Sequence, residues 1–217
     1  MNKLFAVLLL ILCDSVSAHT QSLQFADDQN KNTYALVIGI SEYEDDRQTD
    51  LKYAHRDAAI FADYLRSKAG GSLSENNIRL LTNEAATLAA INDGFDWLLN
   101  VIQEKDRAII YFSGHGDVEK QTLWTKGYLL AHDTPFNNYR FNAFPVEVLN
   151  DLILTISIGK DAEVLVVTDA CHAGTLAGNG ARGNAFTAEQ IAKQSANEVR
   201  ILSCNPDQKS AEGKQWG

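Results

Sequence analysis

Cysteine is scarce in this chain: three in 217 residues, Cys13, Cys171 and Cys204. No pair has CxxC spacing, which argues against a tetrahedral zinc site built from thiolates. Three are also too few for a disulfide framework, although two that remained in an exported domain could pair. Basic charge is in short supply as well. Nineteen Lys and Arg against 28 Asp and Glu leave a net charge of -9. An acidic chain without a basic run is poorly suited to nucleic-acid backbones or to anionic membrane surfaces. GxxxxGK[ST] does not occur, and the single GxGxxG spacing, Gly178 to Gly183, does not follow directly on an apolar strand run, so nucleotide binding has little sequence support. Internal repeats and low-complexity segments are absent. The apolar run at Leu4–Leu12 is shorter than the roughly 20 residues a membrane-spanning helix needs.

That run follows Lys3 and precedes the small-residue stretch Val16-Ser17-Ala18, the pattern of a secretory leader. Residues 1–18 are therefore expected to be a signal peptide, which predicts export to a periplasm or the exterior. Residues 19–33 are polar and are expected to form a linker. From residue 34 the composition is that of a globular domain, with 45% hydrophobic residues overall.

Within residues 34–217 strands and helices alternate. Continuous apolar runs at Tyr34–Ile40, Ala108–Phe112 and Val164–Thr168 read as strands buried on both faces. Shorter strands are expected at Ile78–Leu81, Gly127–Ala131 and Val199–Ser203. Helices are expected over Tyr53–Lys68, after Thr87 as N-cap to about Ile102, and over Val146–Ile156. Such alternation predicts an α/β fold with a mostly parallel central sheet and helices on both faces. In these folds functional groups gather where strands end in loops.

Two buried strands end in reactive residues flanked by small ones. One gives Phe112-Ser113-Gly114-His115-Gly116, the other Thr168-Asp169-Ala170-Cys171-His172. If both are parallel members of one sheet, His115 and Cys171 meet at the same edge despite lying 56 positions apart. A thiol with a reference pKa of about 8.5 is only partly ionised at neutral pH, and an imidazole can take its proton to make the nucleophile. His115 is the better base, because His172 follows Cys171 directly and neighbours on extended chain point to opposite sides. His172 is left a supporting role. Backbone N–H groups of the glycines around His115, with that of Cys171, suit a developing oxyanion. A packing role is the commoner fate of a lone cysteine; here two complementary strand ends outweigh it. A zinc site from His115, Cys171, His172 and Asp169 ranks lower, since local ligand spacing is missing.

The segments YALVIGISEYE, LKYAHRDAAIFADYL, RAIIYFSGHGD, VLVVTDACHAG and ILSCNPDQKSAEG, in this order, resemble the caspase-like cysteine peptidases of clan CD, family C14. The likeness is to the metacaspase and bacterial orthocaspase branch and covers roughly residues 34–217. It implies a three-layer caspase-like sandwich and a cysteine endopeptidase. His115 is then the general base and Cys171 the nucleophile, with Gly116 and Cys171 lending N–H groups to the oxyanion. The resemblance also implies an acidic P1 pocket from Asp57, Ser113 and Asp169, hence protein or peptide substrates cut after Arg or Lys. Converging carboxylates satisfy a guanidinium well. Without the resemblance, Asp57 reads as a solvated helix residue.

Some relatives mature by self-cleavage, for which Arg182, and less favourably Lys193, are the candidate sites. The chemistry requires no cofactor. Many relatives need calcium, but the acidic Glu42–Asp50 loop, with Asp117 and Glu119, matches no such site and is expected to be solvated. Relatives also carry a small-subunit region beyond the point matching Gly217, so this chain is expected to represent the large-subunit region alone. The alternative reading is a non-catalytic caspase-like binding module or inactive fragment. The sequence leaves oligomeric state open.

Overall fold

The structure is a computed structural model and describes residues 31–119, 126–170 and 197–202. The first strand, β1 (Thr33–Gly39), begins as soon as the described chain does. Residues just before it already belong to the packed body. The Asn32 N–H donates to the Asp106 carboxylate at 3.0 Å, and Lys31 pairs with Glu163 at 3.0 Å. Ala35, Leu36, Val37 and Ile38 are buried to within 1% of exposure, as a run without polar alternation requires. Burying a side chain of Leu or Ile size contributes about 1.5–3 kcal/mol, so this strand anchors the core.

From β1 the chain crosses through α1 (Ala54–Arg66) to β2 (Ile78–Thr82), then through α2 (Leu88–Val101) to β3 (Arg107–Ser113). The Thr87 hydroxyl accepts the Ala90 N–H at the start of α2, the cap expected from sequence. An excursion of three strands follows: β4 (Gly116–Glu119), β5 (Lys126–Leu129) and β6 (Phe144–Pro145). The chain returns through α3 (Val146–Leu154), which ends in a wide π turn at Thr155–Gly159. It re-enters the main sheet as β7 (Glu163–Asp169), and β8 (Glu198–Leu202) follows.

The main sheet has the order β2-β1-β3-β7-β8, and every pairing in it is parallel. The excursion strands form a separate antiparallel sheet, β4-β5-β6. Only the middle one was expected from sequence. Side chains from the two faces of the main sheet separate into two cores. Ala58, Ala62 and Leu65 of α1 pack with Val37, Ile109 and Tyr111 on one face. Residues of α2 and α3, including Phe95, Leu98, Leu149 and Ile153, pack with Leu36, Ile38, Ile110 and Val166 on the other. Helices therefore lie on both sides of the sheet, making three layers.

Gly39, at the C-terminal end of β1, sets how closely α1 can approach. A Cβ there would stand 2.4 Å from the Ala54 carbonyl oxygen and 2.4 Å from Ala58 Cβ. Neither obstacle is the free end of a side chain, so the helix itself would have to move. Gly39→Ala is expected to cost about 1–3 kcal/mol, the usual range for overpacking. A lowered midpoint in urea unfolding is the measurement; an unchanged midpoint would mean that α1 yields freely.

Candidate functional site

Parallel strands put their C-terminal ends on one edge. Gly39, Ser113 and Asp169 end β1, β3 and β7, and the register pairs Gly39 with Ser113 and Ser113 with Asp169. Two backbone bonds tie the three ends together just beyond the ladders. The Ile40 N–H donates to the Ser113 carbonyl at 2.9 Å, and the Gly114 N–H donates to the Asp169 carbonyl at 3.1 Å. The segment carrying His115 and the strand leading to Cys171 are thus direct neighbours. Ala170 is buried and is the last described residue before Cys171. Cys171, His172, Arg182 and Lys193 lie outside the described residues, as does Cys204.

His115 is held from three directions. Its ring Nε2 is 2.6 Å from the Thr49 carbonyl oxygen. A carbonyl can only accept, so the proton sits on Nε2 and Nδ1 of the neutral ring is left as an acceptor. The backbone N–H of His115 donates to the Tyr43 hydroxyl at 2.7 Å. The Tyr43 ring packs against the imidazole with centroids 4.9 Å apart and planes inclined by 31°. On the far side, the His115 carbonyl accepts the Leu130 N–H at 2.9 Å. Gly116, expected to serve the oxyanion, opens β4 immediately after and is buried.

Both residues that grip the imidazole come from the loop between β1 and α1. That loop is itself well tied. The Asn83 side-chain oxygen accepts the N–H groups of Ser41 and Glu42, at 3.0 and 3.3 Å. Asp50 accepts the Tyr43 N–H at 3.1 Å, and the Leu51 N–H closes the loop onto the Ser41 carbonyl at 2.8 Å. Asp45 accepts from Arg47 and from the Phe136 N–H, and these bonds hold its carboxyl well below the usual carboxylate range. Sequence reading treated the loop as solvated acid. Its charges lie largely at the surface, but Asp45 and Asp50 shape it through hydrogen bonds.

Asp117 and Glu119 depart from the same expectation. They lie on β4, where Asp117 accepts the Tyr139 hydroxyl at 3.0 Å and Glu119 is only 8% exposed. The short, charged stretch Gly-Asp-Val-Glu hid a strand. Burial and the neighbouring Asp117 carboxylate push the Tyr139 phenol up to about 12. Among the described residues, no three His, Cys, Asp or Glu side chains gather as metal ligands.

The charges of Asp57 and Asp169 and the hydroxyl of Ser113 all influence one group the sequence does not single out, the phenol of Tyr111. Tyr111 lies on the α1 face of β3, two residues before Ser113, with its ring stacked on Phe61 at 4.7 Å. Burial pushes this phenol up to about 12; the Asp57 and Asp169 charges push the same way, and the Ser113 hydroxyl bonded to it opposes them. Tyr111 therefore stays protonated across the neutral range. Asp57 sits in the first turn of α1, and Asp169 is exposed at the end of β7. The signal in sequence was parity: Tyr111 and Ser113 on one strand, and Val167 and Asp169 on the next, alternate onto the same face.

A five-stranded parallel sheet between helical layers, with a held imidazole and two carboxylates at its C-terminal edge, defines an α/β protein with a site suited to acid–base chemistry. Residues 32–217 match the model of the caspase domain, Peptidase_C14, and the chain belongs to that family of cysteine peptidases. No curated protein matches it. Among solved structures, it is similar to a protein from Geobacter sulfurreducens determined by crystallography as a structural-genomics target. That pair is 19% identical over 84% of this chain and 76% of the other, with a TM-score of 0.57. The likeness to that protein is one of fold.

Proposed function

We propose that this protein is an exported cysteine endopeptidase that cleaves peptide bonds after Arg or Lys. The observation that carries the proposal is the Thr49 carbonyl on His115 Nε2, which leaves Nδ1 as the acceptor on an imidazole tied beside the strand that leads to Cys171. In the reaction, His115 Nδ1 takes the Cys171 thiol proton, and the thiolate sulfur attacks the scissile carbonyl carbon. The carbonyl oxygen becomes an oxyanion facing the N–H groups of Gly116 and Cys171. His115 then gives its proton to the leaving amine as the C–N bond breaks. Water, deprotonated by the same imidazole, releases the acyl group and restores the thiol.

Specificity rests on Asp57, Ser113 and Asp169. The pairing of Ser113 with Asp169 at the strand ends, on the face covered by α1 with Asp57 in its first turn, supports the assignment, because carboxylates and a hydroxyl suit a planar cation with several donors. No metal or cofactor has a step in this scheme. Self-cleavage after Arg182, or secondarily Lys193, belongs to the same proposal, since either residue would present a basic side chain to the pocket. Among the described residues, no helix is long and apolar enough to cross a membrane.

The test offers fluorogenic peptides with Arg, Lys or Asp at P1 to the full chain, with and without calcium, beside Cys171→Ala. Turnover of the Arg and Lys peptides by wild type only is the expected result. Intact chain in Cys171→Ala and chain cut after Arg182 in wild type should accompany it. Turnover that survives Cys171→Ala, or none from the pure wild-type protein under any of these conditions, would overturn the proposal. A silent protein that still retained peptides would favour the binding-module reading.

A further inference from the structure

We propose that Tyr43 is a positioning residue for catalysis, setting the place of His115 through its hydroxyl and its ring. The inference rests on His115 being the base, and its test is built to fail separately from that reading. Tyr43 is 7% exposed and sits in the loop between β1 and α1, far in sequence from both strand-end motifs. Its hydroxyl makes two bonds of opposite sense. It accepts the His115 backbone N–H at 2.7 Å and donates to the Ile40 carbonyl at 3.4 Å, so both capacities are used. The ring meanwhile lies against the imidazole, 4.9 Å between centroids. The Tyr43 backbone N–H is fixed in turn by Asp50 at 3.1 Å. The same loop brings the Thr49 carbonyl to Nε2 at 2.6 Å. Tyr43 thus controls where the His115 backbone lies, and Thr49 controls how its ring is turned.

Gly114 provides an independent indication that the hydroxyl's place matters. A Cβ at Gly114 would come within 3.2 Å of the Tyr43 hydroxyl oxygen and 3.2 Å of Phe112 Cζ. The missing side chain leaves room for the phenol to reach His115. A nucleophile and its base must be aligned to fractions of an ångström, and a 1 Å displacement costs up to about a hundredfold in rate. Removing the hydroxyl leaves the His115 N–H without its acceptor, while the imidazole keeps the Thr49 carbonyl and its packing on Tyr43. Removing the ring as well frees the imidazole on that side.

The experiment compares full-length wild type, Tyr43→Phe, Tyr43→Leu, Gly114→Ala and His115→Ala. It reads kcat and KM on an Arg-P1 peptide, the rate of Cys171 alkylation by iodoacetamide at pH 7, and thermal stability. Tyr43→Phe should lower kcat about tenfold and Tyr43→Leu about a hundredfold, with KM within about twofold of wild type and slower alkylation in both. Gly114→Ala should resemble Tyr43→Phe. If Tyr43→Phe and Gly114→Ala keep wild-type kcat and alkylation while His115→Ala loses both, the positioning role is wrong and the dyad stands. A fall in melting temperature without the kcat change would leave Tyr43 a merely structural residue and overturn the inference. Wild-type kinetics in His115→Ala would remove the dyad, and this inference with it.

Discussion

Replacing His115 by alanine is expected to lower kcat by about a hundred- to ten-thousand-fold, the usual contribution of a positioned general acid–base group. KM should move little, because the imidazole contributes to proton transfer and not to holding the P1 side chain. The physical ground is the fixed tautomer. With Nε2 donating to the Thr49 carbonyl, Nδ1 is left as the acceptor that the proposed reaction requires. Without it, the proposed reaction has no base for a thiol that, at the ordinary pKa of about 8.5, is only a few per cent ionised at pH 7. Alkylation of Cys171 at pH 7 should slow in parallel with turnover. A loss smaller than about tenfold in both would show that another group, His172 being the nearest in sequence, serves as base.

The second large effect is expected at the acidic edge. Asp57→Asn and Asp169→Asn each remove a charge while preserving shape. A hydrogen bond to a charged group contributes about 1.5–3 kcal/mol, or roughly ten- to a hundredfold in kcat/KM for an Arg-P1 peptide. The doubly substituted protein should lose about a hundred- to ten-thousand-fold. Peptides with an apolar P1 residue should be affected little, so the readout is the ratio of the two kcat/KM values. Asp169 ends β7 opposite Ser113 and shares a face with Tyr111, and Asp57 lies in the first turn of α1, the helix packed on that face. An Arg preference that survives both substitutions would locate the cation-binding wall elsewhere.

Strands buried on both faces were the most legible part of the fold. Tyr34–Ile40 and Val164–Thr168 are continuous apolar runs with no other economical fate, and they differ from the observed strands by one residue at each end. The cap at Thr87 was readable for a local reason, its side chain facing a free N–H three residues on. The excursion sheet was not readable. Gly116–Glu119 is short and charged, Phe144–Pro145 has two residues, and both owe their strand geometry to β5 between them.

In the site, His115 and Asp169 stood out because apolar runs ended on them. Tyr43 and Thr49 did not. Their roles arise from a loop folded back over the sheet edge, and one acts through a backbone carbonyl that any residue type could supply. Tyr111 was hidden for another reason: inside an apolar run, an aromatic residue reads as core, and its ring is core while its hydroxyl belongs to the edge.

The pairing of β3 with β7 runs without interruption from Arg107–Glu163 to Ser113–Asp169. Side chains on a strand alternate between faces, so counting along β7 is a matter of odd and even. Asp169 shares a face with Tyr111, while Thr168 beside it is buried on the other, its hydroxyl without a partner among the described residues. Deleting one residue within β7 would exchange the two. The carboxylate would be driven into the apolar layer under α2 and α3. Between Glu163 and Asp169, substitution can change the residues, but a change in their number would undo the edge.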